Sequence, residues 1–238
     1  MFSLIERPTI KQPRNQARQR GARSRCVKLT VVYNSIDLEE FSPRRREQWR
    51  SNQRQALGIA QETLTLLHVG SGFERKGVGT ILRAMARASA ASHLIVVGGD
   101  KRAARYQSLA GELGIASRVQ FVGVQRDPRP YYAAADAFVM ASLYEPFANA
   151  SMEALAMGLP VVTSAKSGAA EILEQGKTGY VCDALDIGGF SSAIDALADR
   201  DRRLTMGVAA RVLAEKFSID AMTTQLLSLY QRLLASPA

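Results

Sequence analysis

The apolar runs of this chain do not alternate with polar residues. At 64–70 (LTLLHVG), 93–98 (HLIVVG), 137–142 (AFVMAS) and 160–164 (PVVTS), hydrophobic residues fill successive positions, so a strand built from any of these runs is apolar on both faces. Such strands need cover on both sides, the situation of a parallel sheet lying between two layers of helices. The stretches between the runs have helical composition and supply that cover.

The expected order is strand 28–33 (KLTVVY), helix 44–57, strand 64–70, helix 78–91, strand 93–98, helix 102–113, strand 119–124, a short helix 131–135, strand 137–142, helix 149–157, strand 160–164, helix 169–174 and strand 179–182. Three helices follow, at 187–198, 201–215 and 219–235. Regular strand–helix alternation defines the fold class as α/β, a doubly wound Rossmann-like parallel sheet with helices on both faces. Ligands of such sheets sit at the carboxyl ends of the strands, where helix N-termini converge, so the chemistry is expected just after each strand.

Of the nine net positive charges, seven fall in residues 1–28, where eight bases face one acid, Glu6. Residues 1–27 are therefore read as a basic, disordered arm or a remnant of another domain, and 28–238 as the folded domain. The rest of the chain is nearly neutral, which argues against a nucleic-acid surface. The arm suits loose contact with an anionic membrane. No run reaches the ~20 apolar residues of a membrane span, and residues 1–11 lack a secretory apolar core. The expected location is cytoplasmic, peripheral to the inner face of a membrane. Cys26 and Cys182 have no metal or disulfide spacing, and Cys182 reads as a core thiol.

Two loops carry chemistry. In 70–77 (GSGFERKG), glycines Gly70 and Gly72 permit close backbone approach, while Arg75 and Lys76 stand where a helix begins. That end of a helix is already positive, so two cations there call for an anion, and a diphosphate would satisfy them. A solvated basic turn is the alternative. The spacing is neither Gly-x-Gly-x-x-Gly nor a phosphate loop of the Walker type, and only Asp100 comes near the acidic position of a dinucleotide site. In 145–153 (EPFANASME), Glu145 precedes a helix and Glu153 lies about one turn inside it, so that both face the crevice at different depths. Structural roles remain open for both: Glu145 as an electrostatic cap, Glu153 as the partner of a base.

The segment Glu145-Pro146-Phe147 through Glu153-Ala154-Leu155-Ala156-Met157-Gly158-Leu159-Pro160-Val161-Val162 resembles the E-x7-E motif of retaining GT-B glycosyltransferases of family 4. Ser167 to Leu173 with Gly176 and Thr178-Gly179 resembles that family's next motif, and Val32 to Asp37 with Phe41 resembles the lead into its C-terminal, donor-binding domain. The segments 68–78 and 97–101 are most similar to the lipopolysaccharide-core glucosyltransferase I branch. The resemblance implies a nucleotide-diphosphate sugar as donor, a UDP-sugar such as UDP-glucose favoured, and a glycan or lipid-linked acceptor. It implies that Arg75 and Lys76 hold the diphosphate, Glu153 the ribose and Glu145 the transferred sugar. Backbone N–H groups at Ala148, Asn149 and Ala150 would reach the phosphate or sugar, and Val124 and Arg126 would flank the base. Glu145, Arg75 and Lys76 are the implied catalytic groups. No cofactor or bound metal is implied, in keeping with the lack of an Asp-x-Asp motif.

The chain departs from the pattern at Ser71, where many members have Arg, and at Ala148, where Gly is usual. It also offers only about 27 residues where the family carries an acceptor domain. The resemblance therefore implies either a sugar transferase or a non-catalytic donor-binding module working with an acceptor-domain partner chain. Without that domain, the stripe Met222, Leu226, Leu229, Leu233 on the last helix is expected to be partly exposed. A dehydrogenase or sugar-nucleotide epimerase on a similar fold is the remaining enzyme alternative.

Overall fold

A computed structural model describes residues 30–235. Six strands, β1 (Leu64–Val69), β2 (Ser92–Val97), β3 (Val119–Gly123), β4 (Ala137–Met140), β5 (Val161–Ser164) and β6 (Gly179–Cys182), form one parallel sheet in the order β3-β2-β1-β4-β5-β6. The helices are α1 (Pro43–Ala56), α2 (Val78–Arg87), α3 (Ala103–Glu112), α4 (Arg129–Ala134), α5 (Asn149–Ala156), α6 (Ile187–Ala196), α7 (Arg200–Glu215) and α8 (Ile219–Ala235).

The non-alternating runs divide their residues between two cores. Leu66, Leu94, Val96, Val139 and Val162 pack under Ile81 and Met85 of α2, Tyr106 of α3 and Phe190 and Ile194 of α6. Leu67, Ile95, Phe138, Met140 and Val161 pack on the other face with Tyr132 of α4, Met152 and Leu155 of α5 and Leu213 of α7. Each such side chain gains about 1.5–3 kcal/mol from complete burial, so the two-faced pattern is what keeps the strands central.

Beneath the sheet, α1 presents Arg46, Arg50 and Arg54 at four-residue spacing, one face of a helix. Arg54 is fully buried. It donates to Asp136 Oδ2 at 2.7 Å, to Ala134 O at 2.8 Å and to Ala60 O and Gln61 O. Asp136, just before β4, also accepts from the Thr65 N–H at 2.9 Å and so ties α1 to the starts of β1 and β4.

Three expectations need correction. Residues 30–33 form no strand, and 28–29 lie outside the described residues together with the 1–27 arm and Cys26. Among the described residues the run has no partner strand: Val31 O accepts a 3.3 Å bond from Gln225, and Ile36 makes an isolated bridge to Ser218. β propensity without a neighbouring edge does not make a strand. The helix expected at 169–174 is a 3-10 turn, Gly168–Glu171, which Ser167 caps through the Ala169 N–H. Helix 78–91 stops at Arg87, because Ala88 turns extended and Ala90 N–H goes to Asp195 Oδ1 at 2.8 Å. Cys182 is half-buried and packs against the core under α2, α3 and α6, as a core thiol would, and burial pushes its thiol up to about 11.

Candidate functional site

The strand order reverses beside β1, whose neighbours are β2 and β4. The crevice of a doubly wound sheet opens at that point, between the 70–77 loop after β1 and the 143–148 loop after β4. The two loops are joined: Leu143 N–H donates to Arg75 O at 2.8 Å. Gly77 makes this approach feasible. Its φ is +73°, and a Cβ there would lie 1.9 Å from Ala141 O. Gly77→Ala is expected to cost at least ~1–2 kcal/mol, from the left-handed backbone alone, read as a lowered thermal midpoint; an unchanged midpoint would refute the close approach.

At the junction, Glu145 is nearly buried and its Oε2 accepts from both cations, from Arg75 at 2.9 Å and from Lys76 Nζ in a short contact. A carboxylate of the chain itself is therefore the anion beside the two cations. Arg75 also donates to Tyr144 O at 3.0 Å and remains half exposed. Lys76 lies against Gly70, whose missing side chain leaves room for it. Backbone bonds from Glu145 N–H to Lys166 O and from Gly168 N–H to Glu145 O fix the carboxylate's place. Neither structural role considered for Glu145 and Glu153 is observed: Glu145 is a counter-ion, and Glu153 pairs with a phenol.

Burial pushes the Glu145 carboxyl upward, but hydrogen bonds and charges from Lys76 and Arg75 outweigh it, and the net direction is below the usual carboxylate range. A depressed folded-state value means that its stabilising contribution is complete above the unfolded value, ~4.3, and is lost as pH falls through the folded one. Acidification from neutrality should therefore lower the melting midpoint of the parent more than that of Glu145→Gln; equal losses would contradict the pairing. Glu153 has the opposite sign. Burial raises it, only partly offset by a 2.6 Å bond from the Tyr132 hydroxyl.

Glu153 stands on α5, where Tyr132 from α4 also donates to Ala150 O at 3.2 Å. The first turn of α5 has no side-chain cap at Ala148, and the N–H groups of Asn149 and Ala150 have no partner among the described residues. Asn149 Oδ1 accepts from Asn34 at 2.8 Å. Two backbone donors at a positive helix end are thus available to an anion or a hydroxyl. The matching donors ahead of α2 are not: Gly77 N–H and Val78 N–H go to Glu74 O and Phe73 O.

Arg75, Lys76, Glu145 and Gly70 are brought together, while Glu153 is held separately on α5. Gly72 and Arg75 also line a depression of about 340 Å³ with Asp100 and Leu143. Val124 and Arg126 lie beyond β3, both exposed, and no hydrogen bond or ion pair links them to the cation pair among the described residues. Asp100 spends its carboxylate on the Phe73 and Arg102 N–H groups, both at 2.7 Å, and so pins the 70–77 loop instead of facing a ribose. Sequence reasoning missed Tyr132, whose partner is 21 positions away with no motif joining them. Among the described residues no cluster of His, Cys, Asp and Glu could hold a metal ion.

A cation pair and a helix N-terminus with two unpartnered N–H groups, on the loops after β1 and β4 of a doubly wound sheet, have the chemistry to attract an anion. The chain belongs to the family of glycosyl transferases group 1, which matches residues 50–212. It is 34% identical over 186 residues to the lipopolysaccharide core biosynthesis glycosyltransferase LpsE of Rhizobium meliloti (strain 1021), covering 77% of this chain and 53% of that protein. Among solved structures it is similar to Anabaena Alr3699/HepE in complex with UDP and glucose, at 25% identity and a TM-score of 0.76, covering 85% of this chain and 57% of that one. It is also similar to WaaG, a glycosyltransferase involved in lipopolysaccharide biosynthesis, at 26% identity and a TM-score of 0.72, covering 82% and 55%. The six-stranded Rossmann-like sheet and its helices match GT-B glycosyltransferases over a little more than half of their length. The chain spans about half the length of the curated relatives it matches.

Proposed function

We propose that this chain holds the nucleotide-diphosphate sugar of a retaining hexosyltransferase, a UDP-sugar being favoured, for transfer to a glycan or lipid-linked acceptor. The observation that carries this reading is the convergence of Arg75 and Lys76 on Glu145 at the switch point. A guanidinium has five donors and an ammonium three, so both cations can keep Glu145 and still bind a diphosphate. Glu145 then faces sugar hydroxyls, Glu153 the ribose, the N–H groups of Asn149 and Ala150 a phosphate or sugar oxygen, and Val124 and Arg126 the base.

The acceptor hydroxyl oxygen attacks the anomeric carbon on the face that the leaving phosphate occupies. The bond from carbon to phosphate oxygen breaks, and the acceptor's proton passes to that oxygen. Arg75 and Lys76 stabilise the negative charge developing on the diphosphate, an electrostatic contribution. No metal ion is given a role. The likeness to a structure holding UDP and glucose supports the choice of donor.

A second reading is favoured by α8, on which Leu227, Tyr230, Leu233 and Leu234 are exposed while Met222, Leu226 and Leu229 are half-buried. Under it, the chain binds donor but transfers nothing until a separate acceptor-domain chain covers that helix. Incubation with UDP-glucose and a lipopolysaccharide-core acceptor, with the product's anomeric configuration read by NMR, separates the two. An α-linked product supports a retaining transferase. An inverted product contradicts it. Donor binding without product favours the second reading. Among the described residues no helix is long and apolar enough to cross a membrane, and placement at the inner face of a membrane remains part of the proposal.

A further inference from the structure

A cavity of about 440 Å³ opens beneath the sheet, at the amino ends of β1, β4 and β5. It lies opposite the site described above, with the length of the strands between them, on the order of 15–20 Å. Its walls carry Arg46 and Arg50 from α1 and Arg200, Arg203 and Arg211 from α7; the carboxylates facing it are Asp136 and Glu62.

Asp136 is nearly buried and has Arg46, Arg50, Arg54 and Arg203 all within 4 Å. Hydrogen bonds alone are largely satisfied there. Arg46 and Arg50 donate to Ala135 O at the end of α4, and Arg203 to Leu197 O after α6. Charge is not. A helix end supplies at most about half a negative charge, so the four guanidiniums together with Arg200 keep an excess of about two positive charges over Asp136, Glu62 and the two helix ends. Two further observations concern residues that line the cavity. Arg46 Nε is buried and has no partner. Arg200 lines the opening, exposed and outside every ion pair among the described residues. Burial first, then the neighbouring guanidiniums of Arg50, Arg54 and Arg203, lower Arg46 to about 10, only partly opposed by Asp136; an added anion would offset the guanidinium part of that shift. The apolar rim of Leu204 and Val208 suits a ligand with a carbon skeleton behind its charge.

We propose that this cavity is a second anion site, which takes a phosphorylated ligand: a mono- or diphosphate group on a small molecule or on a lipid headgroup. The guanidinium planes match phosphate oxygens in paired hydrogen bonds. The site shares no residue with the donor site, so either can fail without the other.

The test is calorimetric titration of the full chain with inorganic pyrophosphate at matched ionic strength, in a Lys76→Ala background that weakens the donor site. One equivalent should bind, weakened about tenfold or more by Arg200→Ala and by Arg46→Gln. Arg200 is exposed and outside the Asp136 network, so its variant stays informative if Arg46→Gln fails to fold. Co-sedimentation with phosphatidylglycerol vesicles, against phosphatidylcholine controls, separates the sources. Arg200-dependent vesicle binding that pyrophosphate displaces assigns a headgroup, and pyrophosphate binding without sedimentation assigns a soluble ligand; either supports the site. Loss of binding in the Lys76→Ala background, insensitivity to both arginine changes, or an equal effect from chloride overturns it.

Discussion

Arg54→Ala is expected to be the most damaging single substitution outside the donor site, with a loss of about 3–5 kcal/mol in chemical denaturation. The change takes the buried guanidinium from Asp136 Oδ2 and leaves that oxygen with the Thr65 N–H alone; breaking a buried pair from one side costs about that much, although Arg46, Arg50 and Arg203 keep positive charge within 4 Å of the carboxylate. Here the loss has further parts. Ala134 O, Ala60 O and Gln61 O each give up a donor at 2.7–2.8 Å, and the space of a fully buried side chain is left behind. Arg50 still reaches Asp136 Oδ1 at 2.6 Å, which limits the loss to the lower half of the range if Arg50 moves inward. Arg54→Met, which keeps the volume but not the charge, should cost less for packing and as much for Asp136. A loss below about 1 kcal/mol in both variants would mean that the network does not anchor α1.

Lys76→Ala is expected to weaken nucleoside diphosphate binding by about 10- to 150-fold, the equivalent of ~1.5–3 kcal/mol for a charge-assisted hydrogen bond. Two effects act in the same direction. A cation is removed from the diphosphate's position, and Glu145, left with Arg75 alone, turns a less compensated negative charge toward the incoming phosphates. Lys76→Arg keeps the charge, but has to fit against Gly70, where even a Cβ would lie 3.2 Å from Lys76 Cε. It should restore part of the affinity. Equal binding by all three proteins would remove Lys76 from the site.

Most of the sheet was legible in the sequence because its signal is local. Five non-alternating or β-rich runs from 64 to 164 became β1 to β5, and 179–182 became β6 with the same bounds. Residues 28–33 carried the same local signal and failed in the part that is described, since pairing depends on a neighbour and propensity does not supply one. The stretch 169–174 shows the same limit in a helix: Ser167 caps it, but a single 3-10 turn is all that forms before Ile172.

The site was legible by half. The charge argument required an anion beside Arg75 and Lys76, and the E-x7-E spacing singled out Glu145, but nothing local joins residues 69 and 70 positions apart into one ion cluster. Tyr132, which holds Glu153, gave no signal at all. The arginines under the sheet had a helical spacing that was readable, yet their common target, Asp136, lies 82 residues beyond Arg54 and is reached only through the fold.

The central claim is that the loops after β1 and β4 form a nucleotide-sugar donor site, and calorimetric titration of the parent chain with UDP, GDP and ADP tests it most directly. The account predicts one equivalent of binding, UDP preferred, weakened by Lys76→Ala and by Glu153→Ala. A protein that is folded by circular dichroism and binds none of the three nucleotides would contradict it.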